Sequence, residues 1–424
     1  MAGVFDAITR NLSGGDAFDR SAKELHKHFI NDINHLEDDG NNLPRIFSMD
    51  MKYNFRLQQQ RAAAHGISIK RRYLLDEKSA TAVSAQMGRD KRYVIRIPVT
   101  TCNYENTFLS GGKVLEQEKS NGIISSFVVF ARNQIPNVTY CCPNCGDINS
   151  VAQLLEQGCR SCGTKFIMSE LYPRITNFYT YKQKPYVNKR PLPYCIICII
   201  LTLAYSLFSF SKPPEIKIEY ILSLPAAAFC GVIFGYILYA ISMILQLIID
   251  AVKSGPRDSA FEKTRKKLPR FMKKIDPFFS VDFFVSKVNN LLKTLVFSDN
   301  YHNCSVYEKD GENPYKDIID VEYQGAIRLN KINSDEQYVY VDLDVFTKTT
   351  CIKNNRLHHR DELFHMKLCR SVCVQDDCNA SVHNIECHSC GASFDAVREK
   401  NCPFCGNSYD LKNYDWVVTD FEKR

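Results

Sequence analysis

The chain has 424 residues, a formal charge of +7, 45% apolar and 24% charged residues, and a mean hydropathy of −0.25. That length exceeds one ordinary core, and the composition excludes both a disordered chain and one made mostly of membrane spans. Eighteen cysteines in so large a chain, which opens on MAGVFDAITR rather than on a charged and then apolar leader, are not expected to be the disulfide frame of a small secreted domain.

From Ala17 to Glu37 the apolar residues Phe18, Ala22, Leu25, Phe29, Ile33 and Leu36 recur at three- and four-residue steps, which predicts an amphipathic helix packed on a sheet. RYVIRIPV from Arg92 and IISSFVVFA from Ile123 read as strands, with a Ser-Gly-Gly turn between them. Residues 1–140 therefore read as a first α+β module.

Two Cys-x-x-Cys-Gly half-sites follow, Cys142 with Cys145 and Cys159 with Cys162, 13 residues apart. Each half-site offers two thiolates from one tight turn, and Gly146 and Gly163 permit a positive φ as the chain leaves the metal. Residues 141–180 are predicted to be a zinc ribbon that ends in a closing strand, RITNF from Arg174. Thiolate sites of this kind belong in a reducing compartment, which places these segments in the cytosol.

Leu192 to Phe210 and Ile221 to Ile249 carry no charged residue. About 20 residues at ~1.5 Å each cross a bilayer's hydrocarbon, so residues 192–252 are read as a two-helix transmembrane hairpin turning at SKPPEIKIEY, in preference to a buried hairpin of a soluble domain. Lys182, Lys184, Lys189 and Arg190 precede it, and a basic linker, residues 253–275, follows. Positive charge on that side alone predicts an integral membrane protein with both ends in the cytosol. Within the linker Lys263, Arg265, Lys266, Lys267, Arg270, Lys273 and Lys274 are the candidate contacts to an anionic lipid surface.

Residues 276–380 repeat the first module's order. Val281, Phe284, Val285, Val288, Leu291, Leu292 and Leu295 share one helical face, and the strands YVYVDLDVF from Tyr338 and DELFHMKLC from Asp361 are joined by the polar TKTTCIKNNRLHHR. A second ribbon, residues 385–424, has Cys387 with Cys390 and Cys402 with Cys405, 11 residues apart, and closes on VVTDF from Val417. The matched order of helix, strands, ribbon and closing strand is read as an internal duplication on either side of the hairpin. Each ribbon is predicted to hold one structural Zn²⁺, because four cysteines leave no open position for water.

Other chemistry-bearing residues carry weaker signals. Cys369, Cys373 and Cys378 near His365 and His383 have irregular spacing for a third metal site, Cys195 and Cys198 read as helix-packing residues, and Cys141 as a bystander. Asp342 and Asp344 alternate onto one strand face, read as solvated, near His358, His359 and His365. G-x-S-x-G, P-loop, G-x-G-x-x-G and H-E-x-x-H patterns are missing, so an enzyme is not expected.

At KKIDPFFSVDFFVSKVNNLLKTLVFSD, with YVYVDLDVFTKTT and RDELFHMKLCR after it, the chain resembles the translocase-subunit-forty-four-like (Tim-forty-four-like) family over about Lys274 to Arg370. The Asp276 to Phe279 start is the specific part, and CPFCGNSYDLKNYDWVVTDF resembles the tail of bacterial members. The resemblance implies a nuclear-transport-factor-two-like α+β cone for this half, lipid binding at a membrane surface, a bacterial plasma membrane and a link to protein transport. By internal likeness the first half is a second such module. The chain departs from the mitochondrial member in lacking a presequence and a long chaperone-binding segment, and in adding the hairpin and ribbons.

The function expected is a cytosol-facing, membrane-anchored scaffold or tether that binds lipid and a protein partner the sequence does not identify. The alternative is a small-ligand-binding sensor or enzyme using the cone pocket of the second module, which a buried Asp–His pair there would favour. Nucleic acid is not an expected partner, since the basic residues do not gather on a ribbon.

Overall fold

The computed structural model describes residues 17–36, 43–44, 46–75, 82–86, 93–131, 139–142, 145, 147–150, 153, 158–163, 174–182, 190–209, 218–302, 304–354, 356–374, 384–387, 389–390, 392–395 and 399–424. They form an α+β protein of two compact units, Met1–Lys182 with Ser259–Arg424, and Gln183–Asp258.

In the larger unit, α1 (Ala17–Asn34) has the predicted face: Ala22, Phe29 and Ile33 are buried against Tyr104, Ile124, Val128 and Phe130 of the first sheet. A second helix, α2 (Met49–Ala64), was not anticipated. Its buried residues Met51, Asn54, Gln58, Arg61 and Ala62 do follow a helical stripe, but three of the five are polar, so hydropathy does not mark it. Ser48 caps it by accepting a hydrogen bond from the Met51 amide at 3.2 Å.

The first sheet contains β1 (Ile67–Leu75), β2 (Ala82–Gln86), β3 (Tyr93–Ser110), β4 (Lys113–Ala131) and β7 (Arg174–Lys182) in the order β1-β3-β4-β7, with β2 also on β3. Gly111 and Gly112, at φ 54° and 79°, make the tight β3–β4 turn, a geometry with two positive φ angles that glycine adopts without strain. Between β4 and β7 the chain leaves the sheet to form the ribbon pair β5 (Thr139–Cys141) and β6 (Ile148–Ser150).

After the smaller unit's helices, α3 (Leu192–Ser209) and α4 (Ile218–Met272), the pattern recurs. Helix α5 (Val281–Phe297) precedes β8 (Ile318–Ser334), β9 (Tyr338–Lys353), β10 (Arg356–Ser371) and β13 (Val417–Lys423), ordered β8-β9-β10-β13. The ribbon pair β11 (Asn384–Glu386) and β12 (Ser393–Asp395) comes before the closing strand, as in the first half. Both closing strands run antiparallel to the third strand of their sheet and both pairings contain a bulge, at Phe127/Val128 and at Lys367/Leu368. The segment TKTTCIKNNRLHHR, expected as a polar connection, is strand on both sides of Asn354, whose φ of 51° makes the turn. Its threonines mislead a hydropathy reading because Thr347 and Thr349 are buried with their hydroxyls bonded to Glu362.

The residues read as a basic linker are helical: from Ser259 onward α4 belongs to the larger unit, and Leu268 and Met272 are buried in the second core. Thr264 Oγ1 donates to Ile327 O and accepts from Leu329 N, both at 2.9 Å, which fastens α4 to an irregular stretch of β8.

The two halves of the larger unit share a buried polar seam built on α2. Gln58 Nε2 donates to Asp320 Oδ1 at 2.6 Å, and Thr294 Oγ1 donates to Asn54 Oδ1 at 2.8 Å. Arg61 Nη2 donates to the carbonyls of Phe297 and Ser298 at 3.2 and 2.9 Å. A guanidinium there satisfies acceptors left over at the C-terminal end of α5 and opposes its dipole.

In the smaller unit α3 packs on α4 where Gly231 and Gly235 stand one turn apart. A Cβ at Gly231 would lie 2.6 Å from Ile199 Cα, and one at Gly235 would collide with Cys195 Cα. This is the close approach that a G-x-x-x-G pair allows between helices. Tyr194 and Ser242 hydrogen-bond inside the contact at 3.0 Å, and Cys195 and Cys198 are buried in it, as read from the sequence. Apolar chains turn outward: Ile197, Phe208, Phe229 and Ile244 are more than half exposed. Among the described residues one helix, Leu224–Gln246 within α4, is long and apolar enough to cross a membrane, whereas the apolar stretch of α3, Leu192–Ser206, is shorter. The predicted turn residues 211–217 lie outside the described residues.

Candidate functional site

The eight predicted cysteines meet in two groups, Cys142, Cys145, Cys159 and Cys162, and Cys387, Cys390, Cys402 and Cys405, with the sulfurs of each group within 4.8 Å of one another. Sγ–Sγ separations are 3.6 Å for Cys142–Cys162, 3.5 Å for Cys145–Cys159, 3.6 Å for Cys387–Cys405 and 3.7 Å for Cys390–Cys402. Thiolate bonds of about 2.3 Å to a tetrahedral ion place sulfurs about 3.8 Å apart, so both groups fit such an ion.

Local backbone makes these cages. Cys402 N donates to Asn407 O at 2.9 Å and Gly406 N to Cys402 O at 2.8 Å, and Gly163 N repeats the latter bond to Cys159 O. Gly163 and Gly406 have φ of 66° and 74°, as the half-site pattern predicts, while Gly146 and Gly391 lie outside the described residues. In the first cage Asn149, 3% exposed, points Nδ2 at Cys159 Sγ from 3.4 Å and orients the ligand from behind. Burial pushes the Cys387 thiol up, but the backbone amides of Cys390 and Ser389 and the neighbouring thiols outweigh it and bring it down to about 7. Backbone amides therefore favour thiolate there, the form a metal requires.

The two cages differ in setting. Cys387, Cys402 and Phe394 belong to the same apolar cluster as α5 and the second sheet, joined by Leu411 and Trp416. Among the described residues, neither large cluster includes the first cage's cysteines.

On α4 the basic residues sort by face. Lys263, Lys266, Lys267 and Arg270 are exposed at three- and four-residue steps and so form one stripe, and the exposed Lys273 and Lys274 follow in the turn just past the helix end at Met272. Arg265 does not join them: it faces the body, 3.7 Å from Asp282 and over the Phe261 ring.

Asp344 is not on a solvated face. It is fully buried, accepting from His365 Nδ1 at 2.8 Å and from Arg328 Nε at 2.9 Å. Burial raises its carboxyl, but these hydrogen bonds and the Arg328 charge hold it below the usual range. The pair lies on the face opposite Val341, Leu343 and Val345, which pack under α5, so it is outside the module's interior. Asp342 is partly exposed beside it, His359 is bonded to Glu116 at 2.8 Å, and His358 is exposed. Cys369 is buried and Cys373 exposed, while Cys378 and His383 lie outside the described residues.

Asp276, the first residue of the Asp-Pro-Phe-Phe start, accepts from Phe278 N at 3.0 Å and pairs with Arg370 at 3.0 Å, both charges buried. Its role is to hold the head of α5 to β10.

Sequence reasoning missed the seam and the G-x-x-x-G contact. The latter was legible, since Gly231 and Gly235 sit four apart in an apolar run. The seam residues carry no motif.

Compared with known protein families, curated proteins and solved structures, the chain matches none.

Proposed function

We propose that the protein is a membrane-anchored scaffold whose body of two matched modules and two zinc ribbons faces the cytosol and holds a protein partner at an anionic lipid surface. The observation that carries this reading is the inverted polarity of the Gln183–Asp258 unit. Its helices bury glycine, cysteine and a Tyr–Ser pair, expose isoleucine and phenylalanine, and leave only 11% of the Leu224–Gln246 window covered. A soluble hairpin would expose that apolar surface to water at about 25 cal/mol per Å².

A two-span topology is favoured by the close packing of α3 on α4. The 18 residues of α3 reach ~27 Å, a shortfall that a bilayer accommodates by local thinning. The exposed basic stripe of α4 supports the lipid contact, at about 1 kcal/mol per charge near an anionic surface. Zinc is favoured over other ions by two closed all-thiolate sets with near-tetrahedral spacing. In each half a helix packed on a four-strand path with a long hairpin and a returning strand supports a nuclear-transport-factor-two-like module, to which the first half adds α2 and β2, and for the second half a Tim-forty-four-like one.

Reporter fusions at residues 185, 215 and 424 test the anchor. The expected pattern is cytosolic, external, cytosolic; an internal signal at 215, or release of the protein from carbonate-washed membranes, overturns it.

A further inference from the structure

The seam between the modules contains a partly open cavity of about 50 Å³, which Lys293 of α5 lines. Aromatic side chains form much of the wall, among them Phe55, Phe178 and Phe297. The charged groups that act on the Lys293 amine are Arg71 from β1 and Asp320 and Glu322 from β8, and Tyr73 from β1, Tyr179 from β7 and Tyr323 from β8 line the same cavity. Of these the carboxylates already have donors: Arg71 Nη2 and Gln58 Nε2 hold Asp320 at 2.9 and 2.6 Å, and Asn106 reaches Glu322 at 3.4 Å. Lys293 is different. Among the described residues its amine has no ion pair or hydrogen bond, and it stands 5.6 Å from the centre of the Phe178 ring. The hydroxyl of Tyr323, a residue 7% exposed, is also buried without a partner.

We propose that Lys293 is a carbonyl-reactive amine and that the seam cavity is a covalent, reversible site for a small aldehyde. The nitrogen lone pair adds to the carbonyl carbon, the carbon–oxygen bond of the resulting carbinolamine breaks, and the oxygen leaves as water. One proton taken up from solvent leaves the C=N nitrogen positively charged. Asp320, Glu322 and the Phe178 ring stabilise that cation, and the free Tyr323 hydroxyl is the cavity's donor for the carbonyl oxygen. Burial, aided by Arg71 and opposed by the two carboxylates, lowers the amine to about 8, so free base is present near neutral pH as it is not for a solvated lysine. The volume admits a carbonyl compound of only a few heavy atoms. This inference is independent of membrane anchoring and of zinc.

The test uses the full chain in detergent with acetaldehyde and cyanoborohydride, which reduces the imine to a stable ethylated amine, followed by peptide mass spectrometry. Lys293 is expected to be ethylated about tenfold or more faster than exposed Lys263 and Lys266 at pH 7.5, with a rate that levels off above pH 8. Labelling of Lys293 no faster than of those two, or a rate still climbing at pH 10, overturns the proposal. The unaltered protein decides the outcome, so it does not depend on a variant that folds.

Discussion

Thr176 and Thr419 occupy the same bulge in the two sheets: each is the extra residue of its closing strand, and each donates its hydroxyl to the carbonyl before the bulge, Phe127 O at 3.4 Å and Lys367 O at 3.3 Å. They are the third residues of RITNF and VVTDF, so the duplication extends to one hydrogen bond at one irregularity of the ladder. Replacing either by valine keeps the shape and removes the donor. Each change is expected to cost about 1 kcal/mol in chemical denaturation, with Thr176 the costlier because it is buried and Thr419 is only half-buried.

The Asp276–Arg370 pair is expected to be much more sensitive to single than to double change. Arg370→Met strands a fully buried carboxylate and should cost about 3–5 kcal/mol, while Asp276→Asn with Arg370→Met should recover most of it. Thermal unfolding of the four chains of this cycle measures the difference. Equal losses in the single and double variants would mean that the pair is not the source.

Metal removal is expected to act unequally. Cys142→Ser and Cys402→Ser should each lose one of two zinc ions, but the second should also loosen the α5 core, because Cys387, Cys402 and Phe394 are part of it. Elemental analysis with hydrogen exchange distinguishes the two: faster exchange confined to residues 139–163 is expected for Cys142→Ser, and spread over α5 and β10 for Cys402→Ser.

For lipid binding, a flexible linker replacing residues 183–258 keeps both halves of the seam together, which a fragment starting at residue 253 would not. This chain is expected to sediment with anionic vesicles at low salt and to be released at high salt. Lys266→Glu, Lys267→Glu and Arg270→Glu together should weaken binding by at least ~100-fold, at about 1 kcal/mol per charge. Arg265→Glu should instead lower stability, since it meets Asp282.

Acid is expected to destabilise the first module through His26. Its ring lies under the first sheet, with Nδ1 2.7 Å from Ser126 Oγ, and burial holds it down to about 4. The unfolded chain, near the ordinary 6.5, then binds more protons between those values. The stabilisation is complete above pH 6.5 and falls by about 3 kcal/mol on the way down to pH 4. His26→Gln should flatten that part of the pH profile, read by denaturant titration.

Much of this architecture was legible. The α1 and α5 faces were legible because their apolar residues repeat at the helical period, and the metal cages because a tight turn of four residues is all that Cys-x-x-Cys needs. The long strands were seen only in part, as with β9 and β10, whose far halves bury threonine and histidine against other side chains rather than aliphatic surface. Asp344 was misjudged for the same reason: alternation gives the face, but its burial depends on Arg328 and His365 arriving from β8 and β10.

What the chain determines by itself, then, is what its local pattern specifies: helical periods, cysteine spacings, an uncharged run that water would disfavour, and a motif repeated on either side of it. The tertiary structure alone decided which polar residues are buried. Asn54, Gln58 and Arg61 look solvated in sequence, and they are buried in a seam only because residues some 236–262 positions away bring carbonyls and carboxylates to meet them. Hydrogen-bond partners that far apart leave no period to read, since their pairing depends on how the two halves dock and not on the order of residues in either.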